Sequence, residues 1–159
     1  MNKKNINKND SELFKIFHED YEGTHIKSIL KSNKYDISKD LLEGKNILFA
    51  LGCNFNLKEY YPLVEEEYKK LGKNIKQSLN KLDNNGNSVL FYAISIIAQI
   101  NKNLKIKGID KNIIESKCFE NIKFLVEKGV DINKEINNLN YLDCIYSNQI
   151  LKNFQMYSL

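Results

Sequence analysis

The sequence predicts an all-α fold: a solenoid of three to four irregular helix pairs with short hairpin-like fingers between them. Apolar residues recur at steps of three and four between cap signals, which is the period of one helix face. Strand-like alternation of useful length is absent. A glycine-centred segment also recurs. Gly44-Lys45-Asn46-Ile47-Leu48-Phe49-Ala50-Leu51 aligns with Gly86-Asn87-Ser88-Val89-Leu90-Phe91-Tyr92-Ala93, and Asn140-Tyr141-Leu142-Asp143-Cys144-Ile145 aligns with the part beginning at Ser88. Such recurrence marks units that bury their apolar faces only by stacking on neighbours.

Residues 1–9, rich in Asn and Lys, read as a flexible N-terminal tail, and 10–159 as one repeat domain. Asp10 or Ser11 is placed to cap a helix through Leu13, Phe14, Ile16 and Phe17. A second helix ends over Ile26 to Leu30, and Asp36-Ile37-Ser38 turns into a finger. The next first helix starts after Gly44. Pro62 suits the first turn of a helix running to Leu71 and stopped by Gly72. Asn74-Ile75-Lys76 then resembles another finger turn. Asn85-Gly86 is the one strong hairpin signal, and Ser88 caps the helix beyond it. From Asp110, an N-cap, Ile114, Cys118, Ile122, Leu125 and Val126 mark a helix of about five turns. Gly129 is positioned to end it in a left-handed conformation.

The bulk composition fits one domain. With 159 residues and 42% hydrophobic content the chain can bury a continuous core, and no Pro/Gly/Ser linker divides it. No apolar run approaches membrane-spanning length, and no apolar core follows the N-terminal lysines as a secretory signal requires. Cys53, Cys118 and Cys144 are odd in number and widely spaced, which argues against a disulfide framework and for a reducing, cytoplasmic location.

All 24 basic residues are lysine, interspersed with 20 acidic residues for a net charge of +4. Without arginine the chain lacks the side chain best suited to bidentate phosphate and guanine contacts, so a nucleic-acid partner is disfavoured. The wealth of Lys, Asn, Ile and Tyr fits AT-biased coding. Lys102, Lys105, Lys107 and Lys111 cluster around Gly108 either as a solvated loop or as a contact for an acidic partner or phosphate backbone, and Glu65, Glu66 and Glu67 favour the dipole of their helix.

Catalysis needs a nucleophile with a base, paired carboxylates, a metal set or a phosphate loop. None is visible. His18 and His25 have no metal-ligand spacing, and the cysteines lie among apolar neighbours. No enzyme activity, cofactor or metal is expected.

The segment from Asp83-Asn84-Asn85-Gly86-Asn87-Ser88-Val89-Leu90-Phe91-Tyr92-Ala93 to Ile122-Lys123-Phe124-Leu125-Val126-Glu127-Lys128-Gly129-Val130-Asp131-Ile132-Asn133 resembles one ankyrin repeat. Its opening is similar to the family's Asp, two variable residues, Gly, one variable residue and Thr-Pro-Leu-His; its close is similar to Gly-Ala-Asp-Val-Asn. Ser88, Val89 and Phe91 replace the Thr, Pro and His, which leaves the Ser88 hydroxyl cap to stiffen the turn. Ala98 to Phe119 stands where the family has only a short helix-helix turn, so the repeat carries an insertion. The intervals from Gly44 to Gly86 and from Leu90 to Leu142 both exceed the roughly 33 residues of a regular repeat.

The resemblance implies binding of a protein partner through finger tips and exposed first-helix positions. By matching position these are Asn84, Asn85, Asn87 and Ser95 in the strongest repeat, Glu43, Lys45 and Cys53 in the preceding one, and Asn137 and Leu139 in the last. Lys105 and Lys107 of the insertion form a second candidate contact surface. A short chain without an effector domain is expected to block its partner, as an inhibitor of immunity or antitoxin type that neutralises a toxin or other enzyme in an AT-rich bacterium or phage. The alternatives are a host-directed effector or scaffold without inhibitory action, and a lysine-mediated nucleic-acid binder. The sequence does not indicate an oligomeric state.

Overall fold

The computed structural model describes residues 8–131 apart from 21, 33 and 102–110. The expected first-helix start at Asn140, the positions Asn137, Leu139, Lys105 and Lys107, the cap at Asp110 and Cys144 lie outside the described residues.

Among the described residues all regular structure is helical: α1 (Lys8–Glu19), α2 (Thr24–Ser32), α3 (Ile47–Gly52), α4 (Leu57–Lys70), α5 (Ile75–Leu79), α6 (Val89–Asn101) and α7 (Lys111–Glu127). Helices that are neighbours in the chain pack as α1 with α2, α3 with α4 and α6 with α7, and the short α5 packs on the α4 that precedes it. Across pairs, α1 packs on α3 and α3 on α6, while α2 packs on α4 and α4 on α7. First helices therefore meet first helices, and second helices meet second helices. α1 begins at Lys8, inside the stretch expected to be tail.

α4 lies at the centre. Leu57, Tyr60, Tyr61, Val64 and Tyr68 fall on one face and are all buried. The Tyr61 ring meets Phe124 of α7 edge-on at 5.3 Å, and the Tyr68 hydroxyl donates to Ile37 O. Gly23 sits so close to Tyr60 that a Cβ there would strike the ring, and its φ of 73° is one that L side chains rarely adopt. This stripe also corrects the expected role of Pro62. The helix starts at Leu57, where Asn54 Oδ1 accepts from Asn56 N at 2.9 Å, and Pro62 lies inside it. Pro62 is on the exposed side, away from the buried stripe, where the loss of one N–H leaves no buried group unsatisfied.

Two further expectations change. Asn74 opens no finger; its side chain accepts from Gln77 N at 3.2 Å and caps the five-residue α5. Much of the 98–119 insertion is helix, because α6 runs on to Asn101 and α7 starts at Lys111. Gly129 ends α7 with φ 89°, as its position predicts. On α7, Ile114, Cys118, Ile122 and Leu125 are buried, and Val126 is half-buried.

Candidate functional site

The helix pairs enter through two turns that lie side by side. In the first, Leu42 and Lys45 pair as an antiparallel bridge across Glu43-Gly44, with Lys45 N donating to Leu42 O at 2.8 Å. Both central residues have positive φ, 51° for Glu43 and 81° for Gly44, which is the tight two-residue hairpin geometry. That hairpin was expected at Asn85-Gly86. A non-glycine in this region costs about 1–2 kcal/mol, so Glu43 is held there by its surroundings. Asn46 then caps α3, accepting from Leu48 N at 2.9 Å.

The second turn is organised by Asp83. Its Oδ1 accepts from Asn85 N and Asn87 N, each at 2.9 Å, and its Oδ2 accepts from the Tyr92 hydroxyl at 2.6 Å. Gly86 has φ 79° and donates to Asp83 O at 3.0 Å. Ser88 Oγ accepts from Phe91 N at 3.2 Å, the expected cap of α6. Asp83 and Tyr92 therefore brace this turn together with the Ser88 cap. Neither was a candidate. An Asp at a turn start is a known acceptor for the N–H groups two residues on, but nothing in the sequence ties it to a tyrosine on the next helix.

The fingers are joined. Asn84 N donates to Glu43 O at 3.0 Å, and a Cβ on Gly44 would lie 2.5 Å from Asn84 Oδ1. Lys45 Nζ lies 3.3 Å from Glu43 Oε2 and 5.2 Å above the Tyr92 ring. Burial opposes the charge on both Lys45 and Asp83, but neighbours outweigh it. The Tyr92 hydroxyl and Glu43 raise the Lys45 pKa above its ordinary value. The Tyr92 hydroxyl, the N–H groups of Asn87 and Asn85, and Lys45 lower that of Asp83. Burial and Asp83 both raise Tyr92. The cluster thus holds one cation and two carboxylates, with the tyrosine neutral at physiological pH.

At the opposite end of the pairs a buried amide ladder runs between helices. Asn121 Nδ2 on α7 donates to Asn54 O at 2.8 Å, and Asn54 Nδ2 donates to Phe17 O at 3.1 Å and Asp20 O at 3.2 Å. The Asp20 carboxylate accepts from Gly23 N and Ile26 N and so caps α2.

The candidate residues divide by burial. Glu43, Asn84 and Asn85 are exposed at the finger tips, and Ser95 is half-buried on α6 with its hydroxyl on Tyr92 O. Lys45 is half-buried in the cluster. Cys53 and Asn87 are buried, which takes both off the accessible surface. Cys53 closes α3 against the core, and burial pushes its thiol up to about 12, as it does that of Cys118. Protonated thiols of this kind are inert packing groups. Asn87 lies beneath the tip, where its Oδ1 has no hydrogen-bond partner.

Away from the fingers, an open groove of about 500 Å³ runs beside α1 and the start of α2, lined among others by Glu12, Lys15, Glu19, Glu22 and His25. Among the described residues no group of His, Cys, Asp and Glu is arranged to hold a metal ion, and no helix is long and apolar enough to cross a membrane. Compared with family models, curated proteins and solved structures, the chain finds no match.

Proposed function

We propose that this chain is an ankyrin-like solenoid that acts by stoichiometric binding of a protein partner, with the exposed finger tips and the half-buried side of α6 that carries Ser95 as contact surface. The observation that carries this is the shared register of the two fingers. Gly44 and Gly86 both have left-handed φ, each is followed two residues on by a polar cap, Asn46 and Ser88, and each leads into a first helix, α3 and α6. Stacking of first helices on first helices and second on second supports the same architecture.

The surface suits a protein partner. Glu43, Asn84 and Asn85 present two neutral amides and one carboxylate at tips whose backbone is held by the Asp83 cluster, so little backbone freedom remains to be lost on binding. Binding at these tips would block the partner, as an immunity or antitoxin-type inhibitor does. Cytoplasmic residence fits two buried free cysteines. The test is co-purification of the tagged full chain with mass spectrometry of what it retains, followed by assay of the partner with and without the chain. A partner that keeps full activity in the complex would sink inhibition and leave recruitment.

A further inference from the structure

We propose that Asn85 is a site of spontaneous deamidation whose product opens the clasp between the two fingers, because an exposed Asn85 stands directly before Gly86 in the turn that holds them together. Asn85-Gly86 is the only Asn-Gly pair in the sequence. The nitrogen of the residue after an asparagine attacks the side-chain amide carbon, the bond to the amide nitrogen breaks, and ammonia leaves a five-membered succinimide. Water then opens that ring at either carbonyl, to aspartate or isoaspartate. One water is consumed, one ammonia is released, and nothing is oxidised. Glycine favours the attack because no side chain shields its nitrogen.

The folded turn restrains the reaction without preventing it. Gly86 N donates to Asp83 O at 3.0 Å and Asn85 N to Asp83 Oδ1 at 2.9 Å, so attack waits for the tip to release those bonds. Asn85 and Asn84 are exposed, so release breaks no apolar packing at the tip, and local opening of this kind sets the rate. Isoaspartate adds one carbon to the backbone between residue 85 and Gly86. Asn85 N and Asn87 N then no longer fit together on Asp83 Oδ1. The new carboxylate also stands two residues from Asp83, and the Asn84 N bond to Glu43 O is anchored in the same segment.

The purified full chain is held in warm, mildly alkaline buffer and digested with trypsin. The peptide 82–102 contains Asn84, Asn85, Asn87 and Asn101, which are compared within one fragment. Expected are the amide-to-acid mass change and isoaspartate at Asn85 ahead of the other three, a several-fold faster conversion in concentrated urea, and a lower Tm for aged than for fresh protein. Asn85→Gln removes the conversion and the loss of Tm together. Conversion only in urea, or at Asn84 or Asn87 as fast as at Asn85, overturns the site; conversion at Asn85 with an unchanged Tm overturns its effect on the clasp.

Discussion

At one end of the helix pairs, Asn54 and Asn121 are buried neutral amides whose donors go to backbone carbonyls of the neighbouring pair. At the other end, Asp83, Lys45 and Glu43 meet as charges, and Lys81 pairs with Asp40 between the same two finger segments, with its side chains open to water. Both ends hold one pair on the next. They differ in what a change costs. A buried amide that loses its partner leaves groups unsatisfied away from water, whereas exposed charges such as Glu43, Lys81 and Asp40 are rehydrated when parted. The amide end therefore fixes the architecture, and at the finger end only the exposed tips above Asp83 can change at little cost.

The largest effect expected from this contrast is at Asn54. Replacing it with Ala strips Phe17 O and Asp20 O of their donor and Asn56 N of its acceptor in a buried setting. Destabilisation of about 2–3 kcal/mol is expected from urea unfolding. A loss of only a few tenths would mean that the ladder carries no more than the tips do.

Next is Tyr92→Phe, which leaves Asp83 Oδ2 without its hydroxyl donor and is expected to cost about 1–2 kcal/mol at neutral pH. Its pH dependence sharpens the comparison. The folded pKa of Asp83 is lowered, so the stability it contributes is in place above the ordinary carboxylate range and is lost as pH falls through the lowered folded value. The gap between the wild-type chain and Tyr92→Phe should close over that acidic window. A gap that stays constant would remove the carboxylate from the account.

A smaller effect of opposite sign is expected at Glu43. Glycine relieves the positive φ, and Glu43→Gly should stabilise by about 1 kcal/mol less whatever the ion pair with Lys45 contributes. Destabilisation would show that the side chain, rather than the backbone, holds the two fingers together.

How much of this was legible in the sequence follows from the range of each signal. Gly44, Gly86 and Gly129 were readable because left-handed backbone is a local demand that glycine meets. The start of α4 was misplaced because Pro62 is a strong local sign, while the stripe from Leu57 to Tyr68 gains its energy from α2, α3 and α7, which a linear pattern does not show. α5 was missed because five residues give too few turns for a period. Cys53 and Asn87 were expected at the surface by matching position, yet burial is decided by what packs above, and the Asp83 cluster joins residues from two fingers and a helix.

The smallest effect on stability should fall at Asn85, where the largest effect on binding is expected. Its side chain is exposed, and the Asp83 bond uses its backbone N–H, which a substitution keeps. Asn85→Lys should therefore change stability by no more than about 0.5 kcal/mol. Ser95→Lys, on the half-buried side of α6, serves as its companion at the first-helix position. If the tips and α6 form the contact surface, both variants lose the co-purifying partner while their melting curves overlay that of the wild-type chain. Lys105→Glu with Lys107→Glu is the parallel measurement on the helix-helix connection. Full retention of the partner by the Asn85 and Ser95 variants, with loss in the lysine pair, would move recognition from the fingers to that connection and leave the finger end, like the amide end, a matter of architecture alone.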